Sequence, residues 1–315
     1  MRSKANPDGK QTYAIVRAGA VPLAFLQEWY MPPVVTLFTL TPPTAVSGAI
    51  STSGVVVDRD VAFGPRPDQR MDIYRPKGAA GLPAVVFFHG GSWRSGSRKH
   101  FRILGRELAA AGTVVAVPDY RLFPAVTYPA FLTDCADATA WVACQAPARG
   151  ASKKLFLMGH SAGAYNAMML GLDPAWLRAA GCAPEIVAGV VGISGPYDFP
   201  PVDGRRMNPV FPGAGPESQP IHHARADAPP LLLLAGGDDM IVSPRQTAAL
   251  ADRVLALGGR VETVTYPGLG HLGPATAPAS LYDRRGPLLR DAVAFIERVA
   301  TKEGQGLWPS TPLGP

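Results

Sequence analysis

Apolar positions in this chain fall into short runs that alternate with helix-length stretches from residue 55 onward. "GVVVDRDVAFG" and "RMDIYRP" read as a first pair of strands, partly alternating and separated by "PRPDQ". "PAVVFFHGG" is a continuous apolar run closed by glycines, which predicts a strand buried on both faces. "HFRILGRELAAAG" carries apolar residues at helical spacing and stops at Gly112. Beyond it the pattern predicts strand "TVVAVPDY", helix "AFLTDCADATAWVACQA", strand "KLFLMG" and a helix from Gly163. Strands "IVAGVVGIS" and "PLLLLAGG" follow, then helix "PRQTAALADRVLALGG", strand "RVETVTYPG" and a last helix "PLLRDAVAFIERVA". Such alternation implies right-handed crossovers and a mostly parallel eight-stranded sheet with helices on both faces.

The order of elements also sets domain limits. Residues 55–300 carry the alternating pattern and are expected to form one α/β domain. Residues 1–54 are interrupted by Pro22 and Pro32-Pro33 and read as an N-terminal extension, a helical cap over the domain or a segment in peripheral contact with a membrane. Arg17 and Glu28 break its apolar stretches, so no run approaches the ~20 residues of a membrane span. The basic start with Arg2, Lys4 and Lys10 lacks the unbroken apolar core of a signal peptide. Residues 301–315 read as a flexible tail.

Composition narrows the class. In 315 residues, 47% hydrophobic and 17% charged content favours a packed globular core over disorder. The net charge of +6 is spread thinly, and its densest stretch, "RSGSRKHFR", lacks the aromatic interleaving of a nucleic-acid motif. That stretch is expected to be a solvated helix start, with no nucleic-acid partner. Cys135, Cys144 and Cys182 make an odd count. On one helix Cys135 and Cys144 would lie ~13 Å apart, too far for a disulfide. All three read as free thiols, which favours a cytoplasmic location over export. No cysteine–histidine spacing suggests a metal, and no cofactor is expected.

The chemistry concentrates where strands end. In sheets of this kind reactive groups gather at the carboxyl ends of strands. Four ends carry suggestive residues: His89-Gly90-Gly91, Ser161, Asp238-Asp239 and His271. Gly159-His160-Ser161-Ala162-Gly163 fits G-x-S-x-G, in which small residues permit a sharp strand-to-helix turn that lifts a serine clear of the backbone. A serine hydroxyl needs a base, and His271 in "YPGLGHLG" is the best placed of the six histidines. His160 is expected to point away from the serine. His100 and His222-His223 read as surface or packing residues. The base needs an acid, and "LLLLAGGDDMIVSP" offers two. Asp239 is preferred; a turn former and a helix N-cap are the plainer readings of the pair, and Asp198 is a distant third. Backbone N–H groups of Gly91, Ser92 and Ala162 are the candidates for an oxyanion hole. Trp93 and Tyr165 are expected to wall the substrate pocket.

With these residues in place, the sequence resembles the α/β-hydrolase esterases that carry an HGG[x]W oxyanion motif. That group includes hormone-sensitive-lipase-like carboxylesterases, kynurenine-formamidase-like enzymes and feruloyl/acetylxylan-esterase-like proteins. "HGGSW", "PDYRL", "GHSAGAYNA", "SGPYDF", "GGDDMIVSP" and "YPGLGH" fall in the family's order between about Val55 and Ala300. The resemblance implies an α/β-hydrolase fold with a small cap, a Ser161–His271–Asp239 triad, and Asp119, Tyr120 and Arg121 as supports of the oxyanion loop. Ser92 stands where the lipase-like motif has glycine, which does not matter if only its N–H is used.

The expected function is cofactor-free hydrolysis of a small-molecule ester. A short, polar, Pro-rich connection between "GISGPYDF" and "PPLLLLAGG" argues for short acyl chains or small aryl esters. An amidase or formamidase could use the same groups, and a ligand-binding protein could keep this scaffold without turnover. The sequence leaves the oligomeric state open.

Overall fold

A computed structural model of the chain describes residues 54–199, 209–271 and 288–301. The expected N-terminal cap, the membrane-contacting segment and the C-terminal tail all lie outside these residues. Eight strands form one sheet in the order β1-β2-β4-β3-β5-β6-β7-β8. They span Val55–Ala62 (β1), Arg70–Pro76 (β2), Leu82–Phe88 (β3), Val114–Pro118 (β4), Ala151–His160 (β5), Val187–Ile193 (β6), Leu231–Gly236 (β7) and Val261–Tyr266 (β8). β2 runs antiparallel to both β1 and β4, and every other pairing is parallel.

Sequence pattern and position in the sheet agree. β4 and β7 are buried along their whole length and read as unbroken apolar runs, as parallel strands covered on both faces must. β8, at one edge, is buried only at its ends, Val261 and Tyr266, and alternates between part-exposed and exposed residues in between. β1, at the other edge, carries a bulge between Asp58 and Val61, with Asp60 at φ 55°.

Successive strand residues point to opposite faces. Val86, Phe88, Leu155, Leu157, Leu231 and Leu233 join one core with Phe131 and Leu132 of α2 (Ala130–Gln145) and Met168 of α3 (Ala162–Leu172). On the other face Phe156 meets Phe295 of the last described helix, Leu288–Ala300. Helices therefore cover both sides. α1 (Arg102–Ala110), the five-residue α4 (Ala175–Ala179) and α5 (Arg245–Ala256) complete the set, and the last helix is α6. α4 has no counterpart in the sequence reading.

One expectation needs correcting. The basic stretch around Arg98 is not a solvated helix start throughout. Arg98 is buried, within a short 3-10 turn that precedes α1, and carboxylates from three places in the fold surround it.

β3 is the point at which the chain changes direction across the sheet: β4 lies on one side of it and β5 on the other. The parallel register pairs Phe88 with Gly159. The loop after β3 and the turn after β5 therefore emerge side by side, in the crevice where such sheets hold ligands.

Candidate active site

The turn after β5 is built by backbone. Ser161 has φ 54° and ψ −122°, a conformation that non-glycine residues rarely adopt. Its N–H donates to the Ile193 carbonyl at 2.8 Å, and its carbonyl accepts from Ala164 and Tyr165, which starts α3 at once. Gly163 makes the close approach feasible, since a Cβ there would lie 2.0 Å from the Phe88 carbonyl oxygen. Strand β3 and helix α3 touch main chain to main chain beneath the serine.

His271 follows β8 and reaches back to this turn. Its Nδ1–H donates to Asp239 Oδ2 at 2.8 Å, and its Nε2 accepts from Ser161 Oγ at 2.9 Å. The tautomer follows from the partner, because a carboxylate can only accept. All three groups are buried. The other oxygen of Asp239 accepts the Ile241 and Val242 N–H groups at 2.9 and 2.8 Å. Burial pushes this carboxyl up. The His271 hydrogen bond and charge, with the two backbone donors, outweigh it and hold the group below its ordinary value. Asp238 is exposed, and so is Asp198, whose backbone is held by Gln246. The structure thus brings Ser161, His271 and Asp239 together and leaves the other two acids apart.

The loop after β3 supplies the remaining wall. Ser92 and Trp93 both have positive φ, at 54° and 57°, and the turn closes with Arg94 and Ser95 N–H groups donating to the Gly91 carbonyl. Among the described residues, the N–H groups of Gly91, Ser92 and Ala162 donate to no protein acceptor. Tyr120 and Asp119, at the end of β4, support this loop from behind. The Tyr120 hydroxyl donates to the His89 carbonyl at 2.7 Å and its ring stacks on His89, with centroids 4.4 Å apart. Asp119 accepts the Arg98 N–H at 2.7 Å and also pairs with its guanidinium. Arg98 further pairs with Asp60 and, at 3.1 Å, with Asp72. Arg121 instead pairs with the buried Asp134, at 2.8 Å from Nε.

Trp93 and Tyr165 depart from expectation. They sit inside an aromatic cluster with Phe131 and Phe211, the Trp93 and Tyr165 rings edge-on at 5.1 Å. Trp93 Nε1–H donates to Asn166 Oδ1 at 3.0 Å, and Tyr165 is fully enclosed with its hydroxyl on the Ser218 carbonyl. Both therefore brace the site as packing. Half-buried Tyr128 and Phe199 are the outermost rings of the cluster. His160 lies buried against His271, with its Nε2 3.0 Å from the His271 carbonyl oxygen.

Cys135, Cys144 and Cys182 are free thiols. Among the described residues, no group of three or more His, Cys, Asp or Glu side chains converges in a way that could hold a metal, and no helix is long and apolar enough to cross a membrane.

A sheet in this order, with a strained serine at the end of β5, defines the α/β-hydrolase class to which carboxylesterases belong. The BD-FAE family model matches residues 71–254, more than half of the chain, and the chain belongs to that family. It is similar to isoprenylcysteine alpha-carbonyl methylesterase ICME of Arabidopsis thaliana, 28% identical over 243 residues that cover 68% of this chain and 56% of that protein. It is also similar to esterase LipC of Mycobacterium tuberculosis, 29% identical over 293 residues, or 84% of this chain and 70% of that one. The match therefore spans little more than half of the Arabidopsis protein. The fold superposes on inhibited esterase B from Lactobacillus rhamnosis with a TM-score of 0.69, at 20% identity, covering 80% of this chain and 90% of the other.

Proposed function

We propose that this chain is a carboxylesterase-type serine hydrolase that cleaves small carboxylic esters through an acyl-enzyme. The observation that carries the reading is the unbroken hydrogen-bonded series from Ser161 through His271 to Asp239. Ser161 Oγ attacks the acyl carbonyl while His271 Nε2 takes its proton. Asp239 keeps the opposite nitrogen protonated and stabilises the imidazolium that forms. The N–H groups of Gly91, Ser92 and Ala162 receive the oxyanion, in a site where burial strengthens each bond. His271 then returns the proton to the leaving alcohol, and water releases the acyl group by the same path.

The reading extends to short-acyl or small aryl esters. The connection between β6 and β7 spans 194–230 and its described part holds only short 3-10 turns, Pro216–Ser218 and Pro220–His223, which leaves little material for a large apolar lid.

The test is a series of p-nitrophenyl esters of increasing acyl length, assayed beside formamide and peptide substrates and repeated with Ser161→Ala. Turnover should peak at short acyl chains and fall on the order of 10⁶-fold in the variant. A fluorophosphonate probe should label the wild type at Ser161. Near-normal turnover by the variant would reject the mechanism, a long-chain optimum would reject the substrate class, and faster cleavage of formamide than of ester would make the enzyme an amidase.

A further inference from the structure

His160 precedes the nucleophile and takes no part in the proton path just described. Its imidazole is nonetheless 4% exposed, and it lies against the backbone of both loops that complete the site. His160 Nε2 is 3.0 Å from the carbonyl oxygen of His271, and the two rings sit 5.1 Å apart at 41°. A carbonyl only accepts, so Nε2 carries the proton and Nδ1 is bare. Nδ1 in turn faces Gly90 of the loop after β3, where a Cβ would lie 2.9 Å from it. Burial, followed by charge on His271, pushes this imidazole down to about 3, so it stays neutral with one N–H.

The side-chain bonds of His271 run to Asp239 and Ser161, and neither fixes its main chain. Among the described residues, the preceding segment is tied farther back, where Asp238 N–H donates to the Leu269 carbonyl at 2.9 Å and Leu269 N–H to the Tyr266 carbonyl at 3.3 Å. During turnover the bond to Ser161 breaks and positive charge builds on the ring, so the backbone must hold the imidazole in line. We propose that His160 is a positioning residue for the base, its Nε2–H pinning the His271 carbonyl while its ring spaces that loop from Gly90.

This rests on the serine-hydrolase reading, and the experiment separates the two. His160→Gln places an amide N–H near the position of Nε2, His160→Asn places one nearer Nδ1, and His160→Leu removes the donor. Steady-state kinetics on a short ester, the rate of Ser161 phosphonylation by a fluorophosphonate and the Tm are measured for each full-length variant. A base misplaced by about an ångström costs on the order of 10²-fold. Leu and Asn should therefore lower kcat and the labelling rate ~10–100-fold with KM within about twofold, while Gln recovers most of both. Wild-type kcat in His160→Leu overturns the proposal, as do equal losses in all three variants that track Tm. Should His160→Leu fail to fold, the Gln–Asn pair decides, and Asn matching or exceeding Gln overturns it. A wild type that the probe does not label at Ser161 defeats the hydrolase reading itself, and this proposal with it.

Discussion

The carboxyl ends of β3 and β5 are neighbours in the sheet, yet they hold their parts of the site by opposite means. The turn after β5 is one residue long and rests on main-chain packing: a strained serine, a glycine against a carbonyl and a helix that begins immediately. No charge holds it. The loop after β3 runs from His89 to Arg98 and is tied at its far end by ions, with Arg98 among Asp60, Asp72 and Asp119. A proposed nucleophile whose position depends on backbone is insensitive to charge state. The proposed oxyanion donors on a longer loop depend on carboxylates contributed by β1, β2 and the end of β4. The two halves of the candidate site should therefore fail under different insults.

The largest effect is expected at the β5 turn. In an ordinary helix Gly→Ala stabilises by up to about 1 kcal/mol. At Gly163 the sign should reverse, since the new Cβ would meet the Phe88 carbonyl at 2.0 Å and main chain cannot yield as a side-chain tip can. Gly163→Ala should cost about 4 kcal/mol in urea unfolding and abolish probe labelling. A stable, reactive variant would mean that the two strand ends are not locked together.

At the β3 loop, Arg98→Met leaves Asp72 buried without its cation and should cost about 3 kcal/mol. Arg98→Lys keeps charge but not the fork that reaches three carboxylates, and should recover part of the loss. An unchanged urea midpoint in Arg98→Met would show that the ionic tie does not support this loop.

The same contrast explains what could be read from sequence. The succession of strands and helices along the chain, the serine turn and the pairing of Asp239 with His271 were legible because glycines and apolar runs mark strand ends, and the candidate groups sit at those ends. Arg98 was not. Its partners lie 38, 26 and 21 residues away, and a basic run looks solvated until the fold brings carboxylates to it. The burial of Tyr165 was hidden for a related reason. All eleven residues of α3 are buried, so no amphipathic stripe distinguishes a pocket wall from core. α4 is too short for any periodicity to register.

The smallest expected effect is a slope in stability with pH, and it again separates the two strand ends, now through their buried histidines. Burial lowers both His89 and His160, the latter to about 3. In the unfolded chain each imidazole titrates near 6.5. Below that pH the unfolded state binds protons that the folded state refuses, so the contribution of each histidine is complete above about 6.5 and is lost progressively as pH falls, for His160 toward 3. Asp239 adds a second, lower window, because its folded value is depressed: its contribution is present above the ordinary carboxylate range and lost as pH falls through the folded value. Each histidine can supply up to about 1.4 kcal/mol per pH unit. Urea midpoints measured between pH 4 and 7 should therefore rise with pH, and His160→Gln should remove part of that rise while leaving the decline below pH 4 in place. A slope equal to that of the wild type would mean that residue 160 protonates freely in the folded chain, which a ring enclosed between Gly90 and His271 cannot do without opening the space between the two loops.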